Sequence, residues 1–139
     1  MASKLSQIAD AITTEIQKIA GIGATGRKIL SWHEQTNFPS AYTAIGTESK
    51  ERFPMRSKEA EAIFVIPTTV TGDTALENFF DLYQAIETQI EDDPSLGGLA
   101  LDAWVSGTSA LVTAETIANN IHVADVFVTV IYRHDRATP

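Results

Sequence analysis

Apolar residues recur along this chain with two periods, and the switches between them mark out the elements. Leu5, Ile8, Ile12, Ile16 and Ile19 follow one another at steps of three and four. That spacing predicts a helix with one apolar stripe, leaving Lys4, Glu15 and Lys18 outside it. Ser3 suits the N-cap, and Gly21 and Gly23 suit the helix end, where glycine takes the left-handed conformation that closes a last turn. Ser40 to Gly46 reads as a short strand that starts after Pro39. From Ala60 to Val70 the period is two. Ala62, Phe64 and Ile66 fall on one face and Ile63 and Val65 on the other, as expected of a strand inside a sheet or covered on both sides. The helical period returns with Leu76, Phe79, Phe80, Tyr83, Ile86 and Ile90 on one face. Thr74 and Glu77 have the spacing of a capping box, and Asp92-Asp93-Pro94 stops the helix, because a residue before proline avoids the helical region.

The remaining chain reads as strands. Leu99, Leu101, Ala103 and Val105 alternate with Ala100, Asp102 and Trp104, and the alternation resumes at Leu111 and Thr113. Gly107, within Ser106-Gly107-Thr108-Ser109, is expected in the turn of a β-hairpin. Ile117 to Asn120 makes a second turn. A last strand runs from His122 to Arg133, with Ala124, Val126, Val128, Val130 and Tyr132 on one face and Phe127, Thr129 and Ile131 on the other. Residues 134–139 are expected to fray. The segment 47–59 carries Glu48, Lys50, Glu51, Arg52, Arg56, Lys58 and Glu59 around Pro54, and reads as a long loop or a loose hairpin end. The order is α-β-β-α-β-β-β. It implies an α+β fold over a single domain, residues 1–139, in which two amphipathic helices cover one face of a mostly antiparallel sheet of about five strands.

Charge and composition narrow the function. The chain has 139 residues and no cysteine, which excludes thiol catalysis, zinc ribbons, iron–sulfur clusters and disulfide frameworks. Its longest apolar run, Ala62 to Ile66, is far below the ~18 residues of a membrane helix. The first ten residues lack the apolar centre of a signal peptide, so the expected setting is a cytoplasm. The net charge is −8 and unevenly spread. Residues 1–60 hold eight Lys or Arg and six Asp or Glu; residues 61–139 hold two and twelve. Such an acidic body repels phosphate and argues against nucleic-acid binding through it, although acidity also serves solubility alone.

Catalytic and cofactor patterns do not assemble. Gly21, Gly23 and Gly26 spell G-x-G-x-x-G, but a dinucleotide loop must follow a strand and open a helix, whereas these glycines follow a helix. A helix end and connector is the better reading. His33, His122 and His134 form no metal-ligand pair, no serine lies in G-x-S-x-G, and Asp73 lacks the spaced oxygens of a calcium loop. Glu91, Asp92 and Asp93 are consecutive and point apart, unlike an acid–base pair. No catalytic residue, cofactor or metal is expected. Two charge features remain. Acids gather at the C-terminus of the second helix (Glu87, Glu91, Asp92, Asp93), where the helix dipole disfavours them and a cation would relieve them. Lys50, Arg52, Arg56 and Lys58 form a basic segment. Each could be solvated surface or half of an oligomer or partner contact.

At Asp93-Pro-Ser-Leu-Gly-Gly-Leu-Ala100 the chain resembles a known family. A short N-terminal helix, a sheet strand and a helix of about four turns precede this D-P-x-L-G-G-x-A segment. The last strand ends in Val126-Phe-Val-Thr-Val-Ile-Tyr-Arg133, close to a V-x-V-x-Y-R pattern with one residue inserted. Over nearly its whole length the chain resembles the tail terminator, or tail completion, proteins of long-tailed bacteriophages. The resemblance implies a non-enzymatic, cofactor-free virion protein that forms a ring, usually a hexamer of itself, at the head-proximal end of the tail. The ring caps the tube built by the major tail tube protein and meets a head-completion or connector protein, and DNA passes through its lumen without specific binding. It implies assembly in the host cytoplasm and no membrane partner. The motif turn Asp93, Pro94, Leu96, Gly97 and Gly98 then lies near a subunit contact or simply reverses the chain. A neck or head–tail connector protein of the same ring-forming class is the neighbouring reading. From a different class, a small ligand-binding or enzymatic cytoplasmic domain is the alternative.

Overall fold

A computed structural model describes residues 4–26, 38–50, 57–111, 114–118 and 120–135. The helix predicted first is α1, Lys4–Gln17, and it buries Ile8, Ala9, Ile12 and Ile16. Ser3 lies outside the described residues. Gly21 (φ 85°) follows the helix in the left-handed region, as its end requires. Gly23 serves a different purpose. A Cβ there would lie 2.7 Å from the Phe38 carbonyl oxygen, so only glycine lets the two backbones cross. The Pro39 carbonyl accepts from the Gly23 N–H at 2.8 Å across that crossing. The glycine triplet therefore leads from a helix into a short strand, β1 (Ala24–Gly26), which pairs in parallel with β2 (Ser40–Tyr42).

The strand expected over 40–46 is two strands. β2 pairs with the far part of β4 (Ser57–Thr71), and β3 (Ala44–Lys50) pairs with its near part. The charged segment 47–59 is correspondingly less of a loop than its composition suggests. β3 runs to Lys50, β4 begins at Ser57, and Lys50 stands opposite Ala60, so a long hairpin is formed. Backbone pairing overrides the low strand preference of its charged residues. Residues 51–56, with Arg52 and Arg56, lie outside the described residues.

β4 sits inside the sheet as its two apolar faces predict. It pairs along its whole length with β6 (Ile121–Asp135), and β5 (Asp102–Leu111) lies beyond β6. Among the described residues the sheet has six strands in the order β1-β2-β4-β6-β5, with β3 beside β4, and every pair except β1–β2 is antiparallel. The hairpin expected around Gly107 does not form. β5 passes straight through it, and Gly107 is a bulge site where the register against β6 shifts after Val105. A bulge accommodates one residue too many for strict alternation, which is why the sequence pattern breaks there without the chain turning. The connection to β6 is a short helix, α3 (Ala114–Ala118), closed by Asn120 at φ 53°. β6 also runs two residues into the segment expected to fray: His134 and Asp135 stand opposite Lys58 and Ser57.

The second helix, α2 (Ala75–Asp92), packs with α1 on one face of the sheet. Beneath them lie Ala60, Ala62, Phe64 and Ile66 of β4 and Val126, Val128, Val130 and Tyr132 of β6, each no more than 2% exposed. The α+β class and the one-faced helical layer are as the sequence implies. Two details of α2 differ. Its buried face is Phe79, Leu82, Ile86 and Ile90, while Leu76 and Phe80 are 49% and 57% exposed. Thr74 makes no capping bond; its hydroxyl is 3.4 Å from Asn78 Oδ1 instead. On the opposite sheet face Ile63, Val65, Phe127 and Ile131 are half-buried.

Candidate functional site

The motif segment is a closely hydrogen-bonded turn. α2 ends at Asp92, and the Asp93 carboxylate organises the reversal that leads into β5. Its Oδ1 accepts from the Ser95 hydroxyl at 2.7 Å and its Oδ2 from the Gly97 N–H at 2.9 Å. These bonds hold the Asp93 carboxyl below the ordinary carboxylate range, the Ser95 hydroxyl contributing most, because they favour the charged form. The Leu96 N–H donates to the Asp93 carbonyl at 3.0 Å and the Ala100 N–H to the Ser95 carbonyl at 2.8 Å. Leu96, Gly97 and Gly98 all take positive φ, at 50°, 72° and 91°. A left-handed leucine is uncommon, and burial explains this one: its side chain is 1% exposed and belongs to the core. Pro94 is exposed, and Leu101 closes the segment onto the sheet through its N–H to the Ile131 carbonyl at 2.7 Å.

Asp93 is therefore more than a helix stop. Sequence reasoning missed its part as the hub of the turn, although the signal was present: an Asp with Ser two residues on and glycines beyond is the pattern of a side-chain-bonded turn. Gly97 and Gly98 have open space where a Cβ would stand, so they are required by backbone conformation and not by a close neighbour.

The acidic end of α2 has a cationic neighbour that the sequence did not point to. Lys18, just past α1, bonds Glu15 at 2.9 Å. Its ammonium is held above the ordinary lysine value, first by the Glu15 hydrogen bond and more weakly by the nearby charges of Asp92 and Asp93. Glu15, expected outside the apolar stripe, is only 8% exposed, and this pairing is what its burial needs. Glu87 and Asp93 are half-buried; Glu91 and Asp92 are exposed. Lys50 and Lys58 lie on the hairpin strands β3 and β4, while their side chains, and the whole of Arg52 and Arg56, fall outside what the structure describes.

His122 opens β6 with its ring 4.7 Å from the Phe79 ring, and burial there lowers its pKa. Among the described residues no group of three or more His, Asp or Glu side chains is placed to hold a metal ion, and no helix is long and apolar enough to cross a membrane.

No protein-family model and no curated protein matches the chain. Among solved structures, it is similar to a chain of a particle described as the virion of native gene transfer agent (GTA), with a TM-score of 0.49 and 10% identity over 91% of this chain and 94% of that one. A likeness so distant carries no function across.

Proposed function

We propose that this protein is a virion structural protein, a tail terminator that forms a ring on the head-proximal end of a phage tail tube and joins it to the head's connector. The observation that carries this reading is the Asp93–Ala100 segment in its place. The residues of the D-P-x-L-G-G-x-A resemblance are those that build the turn: Asp93 bonds it, Leu96 anchors it, and Gly97 and Gly98 supply its left-handed backbone. The turn joins the four-turn helix to a strand, and the V-x-V-x-Y-R residues come later on β6, the order that the resemblance implies.

The ring, hexameric in this reading, is made of copies of this chain. Its partners are the major tail tube protein on one side and a head-completion or connector protein on the other, and the protein needs no cofactor. Added to the major tail tube protein of its own phage while tubes are growing, it should stop elongation and leave tubes short in proportion to its concentration. Tubes that grow to the same length with and without it would overturn the terminator role. Binding to the connector without any effect on tubes would favour a neck protein.

A further inference from the structure

β5 is an edge strand whose protection is limited to Asp102 at its start and the bulge at Gly107. It lies at the end of the strand order, and among the described residues only β6 pairs with it. It is ten residues long, against the three of β1 at the opposite end of that order. A free edge presents unpaired N–H and C=O groups, and soluble proteins commonly blunt it with lysine, proline or inward-pointing charge. From Ala103 to Ala114 this chain has no charged residue and no proline. Trp104, Ser106, Thr108, Ser109 and Ala110 are all exposed along it. In a protein of net charge −8, the stretch between Asp102 and Glu115 carries no acidic side chain of its own.

We infer that β5 is the seam through which copies of this chain associate, adding its free edge to the β3 edge of the next copy. Among the described residues β3 also has a single partner, β4, and on the other side of the β4–β6 pair. Its seven residues can be matched within the ten of β5. The two edges differ, so the contact is heterologous, and such a contact closes into a ring when its rotation allows. Main-chain hydrogen bonds supply the affinity, as in strand addition generally. The inference names the ring's subunit contact and in that respect rests on the function proposed above.

The test is amide hydrogen exchange on the purified protein across a concentration series, with light scattering to report mass. The expected result is concentration-dependent assembly in which the amides of Ala103–Leu111 and of β3 slow by about tenfold or more, as newly bonded strand amides do. A second arm replaces Trp104→Lys and Ser109→Lys. These changes bring the net charge from −8 to −6, which by itself would ease association of an acidic protein. The double variant should nevertheless stay monomeric, with unchanged melting and circular dichroism. Assembly with β5 exchange unaltered, or assembly of the folded lysine variant like the parent, would place the seam elsewhere and leave the ring standing. Slowing of β5 alone, without β3, would mean a closed two-fold dimer and overturn the heterologous contact. A protein monomeric at every concentration would overturn self-association through β5 and leave the edge to a different partner; the tube-growth assay judges the terminator role separately.

Discussion

Asp93 shows how much one side chain can set. Its carboxylate bonds the Ser95 hydroxyl and the Gly97 amide, and the direction of its chain reversal comes from those two contacts. Because the folded state holds its pKa below the ordinary value, the unfolded chain takes up the proton first. The stabilisation is therefore complete above the ordinary carboxylate pKa and disappears as the pH falls through the depressed value. Asp93→Asn should lower the thermal midpoint at neutral pH and cost less as the medium is acidified. A penalty equal at neutral and strongly acid pH would show that the charge is not what Asp93 contributes. The residue scale is also where the sequence was least legible. Gly23 is spelled like a helix cap and is a backbone crossing; Glu15 is spelled like surface and is buried against Lys18. Both depend on a neighbour from elsewhere in the fold, which no local pattern records.

At the scale of elements, α1, α2 and β4 were legible because each buries one strongly periodic face. The errors have physical causes. A helical face is about 100° wide, and Phe80 and Leu82 both fit its margins by spacing; packing against the sheet selected Leu82. Phe79→Ala should therefore cost about 3–5 kcal/mol and Leu82→Ala about 2–5 kcal/mol. Phe80→Ala, more than half exposed, should change stability by less than about 0.5 kcal/mol. Denaturant unfolding of the three variants measures this; a large loss at Phe80 with little at Leu82 would mean that the helix is rotated from its described face. At Gly107 a break in alternation is written the same way for a turn and for a bulge. The outcome depends on whether β6 continues past the break, which it does through Asp125 and Ala124. Of the two readings of segment 47–59, a long loop or a loose hairpin end, the β3–β4 pairing selects the hairpin, which composition alone does not decide.

At the scale of the whole molecule, charge and sheet edges become surfaces. The acidic end of α2 already has Lys18 beside it, yet Glu91 and Asp92 remain exposed. We propose that in the ring the basic segment Lys50, Arg52, Arg56 and Lys58 of one copy meets Glu87, Glu91, Asp92 and Asp93 of the next. It sets register and offsets repulsion between acidic bodies. Exposed pairs contribute only about 0–1 kcal/mol each, so charge guides this assembly and does not dominate it. Arg52→Glu with Arg56→Glu should hinder ring formation on tubes, and adding Glu91→Lys and Asp92→Lys should restore part of it. Full assembly of the first variant at low salt, or no rescue by the second, would remove the pairing from the account.

The terminator role itself is tested most directly by electron microscopy of the protein mixed with purified tail tubes of its own phage. One ring of this chain is expected at a single end of each tube, six-fold in end view, with the tube walls bare. Tubes with no added density, or protein bound along their sides, would contradict it.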